Sequence, residues 1–150
     1  MTTLCIVSCG KKKIWDKYPK VGPTQARNVY TGGLSKKGIE YAEKYYPHHY
    51  RILSAKYGFI KPDFEIPTNY NITFKKISTL PISIDDLEQQ IRQNNLDHYD
   101  RIVAIGGKEY IDRLKILFRH KVVYDPLKGS RGNGEMMAKL KRAILKNSPL

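Results

Sequence analysis

Four short apolar runs limit the folds open to this chain of 150 residues. They are Thr3–Ser8, Tyr50–Ala55, Arg101–Ile105 and Lys121–Tyr124, and each is too short to be a helix. Segments with helical spacing of apolar residues separate them, and such alternation is typical of a parallel sheet covered by helices. The sequence therefore predicts a single α/β domain over residues 1–150. It has three layers, with a mostly parallel four-stranded sheet and helices on both faces.

The connecting segments complete this outline. Helices are predicted over Pro23–Tyr30, Ser35–Tyr46 with Ser35 as N-cap, Ser83 to about Leu96, Lys108–Phe118, and from near Gly132–Glu135 to about Lys146. Between the second strand and its helix, the segment Lys56–Pro81 is predicted to be irregular, since it contains prolines and several aromatic residues. Irregular segments of this length are usually functional in compact domains.

Three polar turns follow predicted strands, at Cys9–Lys11, Ser54–Gly58 and Gly106–Lys108. The carboxyl ends of parallel strands meet at one edge of an open sheet, and ligands bind there, where the winding of the sheet reverses. We therefore expect these three turns to form one site.

The charge of the chain indicates the class of ligand. It has 27 Lys and Arg against 14 Asp and Glu, a net charge of +13, and basic residues are in excess in both halves. Such a surface attracts polyanions, so nucleic acid is the expected partner, with DNA favoured over RNA. The alternative is that the lysines reflect genome bias or solubility. No charged leader and no apolar run near 18 residues is present, which predicts a cytoplasmic protein with no membrane partner.

Small and basic residues at the strand ends are candidates for binding phosphate, because exposed backbone N–H groups and positive charge suit an anion. The candidates are Ser8, Cys9, Gly10, Lys11, Lys12, Ser54, Gly106, Gly107, Lys108 and Arg131. Alternatively, the lysine run Lys11–Lys13 is a solvated loop. Cys9 has two alternatives, a nucleophile or a small buried thiol, and the glycine-rich Gly129–Gly134 is either a phosphate cradle or a hinge.

The loop after the second strand interleaves aromatic, basic and acidic residues. Tyr57, Phe59, Asn69 and Tyr70 are candidates for stacking on a nucleobase or reading its edge. Asp63, after Pro62, is a candidate general base or electrostatic stabiliser, and Lys56 and Lys61 are candidates for contacting phosphates. Alternatively, Phe59 fills the core, Asp63 caps a turn and Asn69 is a turn residue. The histidine and cysteine spacings fit no metal motif, so neither a metal nor another cofactor is predicted.

Several of these segments carry a family resemblance. They are SCGKKK after the first strand, Val29–Gly32, Ile52–Asp63, Tyr70 and a late Gly-x-Gly before a helix. Together these segments resemble a family of small prokaryotic and phage domains, DUF6884-like. That family is similar to the YaaA peroxide-stress DNA-binding proteins and, more distantly, to the catalytic core of archaeosine synthase. The latter resemblance places Lys13 at the position of a lysine that attacks a modified base. The strand pattern also suits a uracil-glycosylase-like sheet in the order 2-1-3-4.

These observations predict an enzyme that recognises a flipped or modified nucleobase, similar to a DNA glycosylase. Tyr57 and Tyr70 would form the stacking walls, and Asp63, Lys13 or Lys56 would act on the N-glycosidic bond or an exocyclic group. Two alternatives stay open. One is a non-catalytic DNA-binding protein of stress or defence, and the other is an enzyme acting on a free nucleotide.

Overall fold

The predicted apolar runs all form strands in the computed structural model, which describes residues 2–150. The strands are β1 (Thr3–Ser8), β2 (Thr24–Gln25), β3 (Tyr50–Ser54), β4 (Gly58–Ile60), β5 (Glu65–Ile66), β6 (Arg101–Ile105) and β7 (Val122–Tyr124). The helices are α1 (Ile14–Lys17), α2 (Ala26–Val29), α3 (Gly33–Tyr45), α4 (Ile84–Gln93), α5 (Lys108–Leu117) and α6 (Asn133–Leu145), with 3₁₀ turns at Ile77–Thr79 and Leu96–His98.

The main sheet has five strands in the order β4-β3-β1-β6-β7. Strand β1 pairs in parallel with β3 and β6, and β6 pairs in parallel with β7, whereas β4 is antiparallel to β3. The α/β class and the mostly parallel sheet are confirmed. The sheet differs from the predicted four-stranded one in the order 2-1-3-4, because the chain reverses after β3 and adds β4 as a fifth, antiparallel strand at the edge.

Strand β4 lies inside the segment Lys56–Pro81, which was predicted to be irregular. Residues 55–57 form the reversal, and Gly58 follows with φ +79°, a backbone conformation that favours glycine. Phe59 and Ile60 are then buried in the core. Strand β5 pairs antiparallel with β2, so this segment contains two further strands that the prediction missed.

Most helix predictions are confirmed to within a few residues, with two corrections. The helix predicted over Pro23–Tyr30 is shorter, since Thr24–Gln25 pairs as β2 and only α2 is helical. Ser35 is not the N-cap of α3; Gly32 is, and Ser35 is buried within the helix. The predicted cap of α4 is confirmed, because the Ser83 hydroxyl accepts a hydrogen bond of 3.0 Å from the Asp86 N–H.

The layers explain why the central strands are continuously apolar. Helices α3 and α6 pack together on one face, and α4 and α5 pack together on the other. Both faces of β1 are covered, so every residue from Leu4 to Ser8 is buried. Among residues 2–150, no helix combines the length and the apolar character needed to cross a membrane.

Candidate functional site

The three polar turns lie at one edge of the sheet, as the sequence predicted. The Cys9 N–H donates to the Leu53 carbonyl at 3.1 Å, which joins the turn after β1 to the end of β3. Strands β1 and β6 approach closely at the same edge, since a Cβ added at Gly106 would lie 2.5 Å from the Ser8 hydroxyl oxygen. The sheet therefore delivers the ends of β1, β3 and β6 to one place.

A buried amine lies at this edge. Lys13 is only 4% exposed, and its Nζ donates to the Lys11 carbonyl at 3.1 Å and lies 4.5 Å from the centroid of the Tyr70 ring. None of the ion pairs among residues 2–150 includes Lys13. Burial lowers the pKa of the Lys13 amine, and the nearby Cys9 and Asp16 partly oppose this shift. The neutral, nucleophilic form is thereby easier to reach than in a lysine exposed to water.

The backbone of Lys13 is fixed from two sides. Its N–H donates to the Asp16 carboxylate at 2.9 Å at the start of α1, a hydrogen bond that lowers the pKa of Asp16. Lys13 also forms an isolated antiparallel bridge with Tyr30, and the Thr31 N–H donates to the Lys12 carbonyl at 3.1 Å. These contacts turn the third lysine of the run inward, whereas Lys12 is exposed.

A chain of hydroxyl groups lies next to the amine. The Tyr70 hydroxyl is 2.8 Å from the Ser54 hydroxyl and 2.6 Å from that of Tyr30. The Ser54 oxygen accepts from the N–H groups of Lys56, at 3.2 Å, and Tyr57, at 3.1 Å, so its own hydrogen is free to be donated to Tyr70. Burial raises the pKa of both tyrosines, and their hydroxyl groups stay protonated.

Cys9 completes the cluster as a neutral thiol. Its Sγ lies 3.1 Å from the Tyr110 hydroxyl, and both residues are buried. Burial raises the pKa of Cys9, which outweighs the lowering by the Tyr110 hydrogen bond and by Lys13. This environment favours the interpretation of Cys9 as a buried thiol over that of a nucleophile. We refer to Cys9, Lys13, Tyr30, Ser54, Tyr70 and Tyr110 as the amine cluster.

Two candidates from the loop after β3 border the amine cluster. The Lys56 Nζ lies 5.2 Å from the centroid of the Tyr57 ring and 5.7 Å from that of Tyr70. Tyr57 is half-buried, and its ring meets the Tyr70 ring edge to face at 5.6 Å. Lys56 and Tyr57 therefore lie beside the amine cluster, and their roles at a bound base stay a prediction.

Three other candidates from this region lie in surroundings that do not indicate contact with a base. Phe59 packs in the core against Phe118, with centroids 6.1 Å apart, which favours a core role over stacking on a base. Asn69 accepts a hydrogen bond from the Tyr70 N–H at 2.9 Å, which favours a turn residue. Asp63 is exposed in the turn between β4 and β5, and its carboxylate has no hydrogen bond or ion pair within residues 2–150. Within residues 2–150, no hydrogen bond or ion pair joins it to the amine cluster.

The remaining phosphate-binding candidates are mostly exposed cations. Lys11 is exposed beside Lys12, and Gly107 caps α5. Lys108 pairs with Asp112 at 2.7 Å, and Arg131 pairs with Glu135 at 3.2 Å. Both cations are highly exposed, so these pairs are weak and leave the cations accessible to an anion. No group of three or more His, Cys, Asp or Glu side chains within residues 2–150 is arranged to hold a metal ion.

Comparison with known proteins identifies the family. The profile of a family of unknown function, DUF6884, matches residues 4–142. The chain belongs to this family. The uncharacterized protein YfjM of Bacillus subtilis (strain 168) is 34% identical to this DUF6884 domain over 145 residues, which cover 96% of each chain. No solved structure matches the domain. The predicted family membership is thus confirmed.

Sequence reasoning missed three residues of the site in this DUF6884 domain. Tyr30 was noted only as part of the family resemblance, yet its hydroxyl ends the hydroxyl chain. Tyr110 lies in the first turn of α5, three residues after Gly107. Its closeness to this strand-end turn was the available signal. Asp16, three residues after Lys13, carried the spacing of a residue that accepts a hydrogen bond at a helix start.

Proposed function

We propose that this DUF6884 domain is a cytoplasmic enzyme that acts on a flipped or modified nucleobase in nucleic acid, in the manner of a DNA glycosylase, with Lys13 as nucleophile. The observation that carries the proposal is the burial of the Lys13 amine without a carboxylate partner among residues 2–150. Desolvation in an apolar site is a recognised way to activate a lysine. Shifted pKa values at the binding edge of a sheet are typical of functional sites.

The charge of the domain supports nucleic acid as the substrate. The net charge is +13, and Lys11 and Lys12 are exposed next to the amine cluster. Phosphates bound by these lysines would hold a strand at the edge where Lys13 lies. The resemblance to the YaaA DNA-binding proteins and to the archaeosine synthase core supports the same substrate class. We favour DNA over RNA.

The proposed reaction uses the neutral amine. The Lys13 Nζ lone pair forms a bond to the anomeric carbon while the N-glycosidic bond breaks and its electron pair stays with the base. The amine loses one proton and the departing base nitrogen gains one. The ring oxygen then leaves the anomeric carbon as a hydroxyl after taking up a proton, and an iminium joins Nζ to the sugar. Water hydrolyses this adduct and restores the amine.

Access to the amine requires a small movement. Lys13 is 4% exposed, so an incoming sugar or base has to displace a neighbouring side chain. Lys56 is the neighbour that can move, because it is exposed and its ammonium group has no hydrogen-bond partner within residues 2–150. The half-buried Tyr57 and the Tyr70 ring would then form the walls that hold the base.

The test combines product analysis with chemical trapping. Purified protein is incubated with DNA and RNA that contain assorted modified bases, and released or altered bases are identified by mass spectrometry. Borohydride should trap a protein–sugar adduct on Lys13, and Lys13→Met should abolish both product and adduct. The matched control is Lys115→Met, at an exposed lysine in the last turn of α5 that lies outside the candidate site, and this variant should retain both. Base release that survives Lys13→Met in a folded protein would refute the role of Lys13.

Two other outcomes lead to the alternatives. If Lys13→Met is active and Asp63→Asn loses roughly 10²–10⁴ in rate, Asp63 activates water and no covalent adduct forms. If neither DNA nor RNA yields a product while binding falls in proportion to the charge removed, the domain is a non-catalytic DNA-binding protein. Activity on free nucleotides without binding to a polymer would indicate an enzyme of nucleotide metabolism.

A further inference from the structure

An exposed aromatic loop directly follows α1. The segment Lys17–Val21, here called the Tyr18 loop, forms a shallow depression on the surface. The Tyr18 side chain is 55% exposed and that of Val21 is 49% exposed. Nothing in the proposed reaction at Lys13 uses this loop.

The loop is held in place by its own backbone and by the core. The Val21 N–H donates to the Tyr18 carbonyl at 3.2 Å and closes a turn. The buried Trp15 donates its indole N–H to the Gly22 carbonyl at 2.9 Å, and the Thr24 hydroxyl donates to the same carbonyl at 3.0 Å. The exposed ring is therefore displayed on an ordered turn, so binding on it costs little conformational entropy.

The charges around the ring suit an anionic chain. None of the ion pairs among residues 2–150 includes Lys17 or Lys20. The Lys17 Nζ lies 5.7 Å from the centroid of the Tyr18 ring. An aromatic face with unpaired cations beside it is the arrangement by which proteins stack a nucleobase and contact its phosphates.

The loop is also close to the amine cluster. Lys13 and Tyr18 flank the four residues of α1, so they are separated by about 8 Å along the helix axis. A strand bound at Lys13 can therefore continue across the Tyr18 ring. Because bases in a duplex are stacked on each other, only an unpaired base presents a free face to the ring.

We propose that the Tyr18 loop is a stacking platform for an unpaired nucleotide, so that the domain binds its substrate as a single strand. This inference rests on the proposed function, since it names the strand state of the same substrate. It assigns the stacking face to Tyr18 and the flanking phosphate contacts to Lys17 and Lys20.

The experiment measures the affinity of the full chain for a fluorescein-labelled oligothymidylate of about 12 nucleotides and for a duplex of equal length, by anisotropy. Tyr18→Ala should weaken single-strand binding by about 5- to 150-fold, the range for loss of one stacked base. Tyr18→Phe should retain the affinity, since it keeps the ring. The matched control is Tyr124→Ala, because Tyr124 is 42% exposed on β7 and lies outside the Tyr18 loop.

Equal affinities of Tyr18→Ala and the wild type for the single strand would overturn the inference, and so would a loss equal to that of Tyr124→Ala. An equal loss for the duplex would overturn the single-strand assignment. The base-release assay on the wild type is scored separately. Loss of single-strand binding in Tyr18→Ala without any base release in the wild type would uphold the platform and refute the glycosylase-like reaction. If the wild type releases base and Tyr18→Ala releases it equally fast at limiting substrate, the glycosylase-like reaction is upheld and the platform is refuted.

Discussion

Replacing Gly58 by alanine tests whether Gln90 holds the loop that borders the amine cluster. An added Cβ would lie 2.2 Å from the Gln90 Oε1. That oxygen accepts from the Phe59 N–H at 2.8 Å, and the Gln90 Nε2 donates to the Tyr57 carbonyl at 2.9 Å. The substitution therefore displaces the side chain that joins α4 to the turn between β3 and β4.

Gly58→Ala lowers the free energy of unfolding in two ways. A non-glycine residue at φ +79° costs about 1–2 kcal/mol in backbone strain. Moving the Gln90 amide leaves the N–H of the buried Phe59 without a partner, which costs about 1–3 kcal/mol. We expect Gly58→Ala to lower the free energy of unfolding by about 2–5 kcal/mol, and the melting temperature by roughly 4–20 °C in a domain of this size.

Gly129→Ala is the matched control, because Gly129 has φ +88° and no atom within 4 Å of an added Cβ. It should cost only the backbone strain of about 1–2 kcal/mol. Urea unfolding of both variants and the wild type measures the difference. If Gly58→Ala costs no more than Gly129→Ala, the Gln90 hydrogen bonds do not stabilise the loop.

Two further predictions concern the lysine run. Replacing both Lys11 and Lys12 by glutamine should reduce the slope of log affinity against log salt by about 1.4–1.8 if each contacts one phosphate, and an unchanged slope would exclude both contacts. For Lys13, the lowered pKa means that the folded state binds fewer protons than the unfolded state between that pKa and the ordinary value near 10.5. The stability of the wild type relative to Lys13→Met should therefore rise with pH through this window and fall again as the pH is lowered. Urea unfolding of both proteins at several pH values measures this difference. A difference in stability that does not depend on pH would contradict the lowered pKa.

The strands could be predicted where burial on both faces makes the sequence continuously apolar. The predicted bounds of β1 and β6, Thr3–Ser8 and Arg101–Ile105, match the structure because these central strands are covered by helices on both sides. The edge strand β4 could not be predicted in the same way. It is three residues long, and its pairing depends on the turn after β3 and on Gln90, which is distant in sequence.

The candidate site was predictable to the level of its loops. The spacing of strand ends indicated which turns would meet. The resemblance to the archaeosine synthase core singled out Lys13 as a candidate amine, and Lys56 was the alternative. The difference in burial between these two lysines has no local signal, since Lys13 is the third of three consecutive lysines. It depends on the bridge to Tyr30 and on the Tyr70 ring, both from later segments.

Within the amine cluster no carboxylate pairs with a protonated Lys13, and the nearby Asp16 offsets the cost of its burial only in part. Burial raises the pKa of Cys9, Tyr30 and Tyr70, so each stays neutral beside the amine. One hydrogen bond and the Tyr70 ring face contribute about 2–4 kcal/mol, whereas burying an ammonium ion costs several kcal/mol. An apolar side chain of similar size would fill this space at lower cost. A lysine in this position therefore lowers stability at neutral pH, and the same desolvation raises the reactivity of its amine. The proposed role of Lys13 as a nucleophile would account for a lysine at this position of the sheet edge.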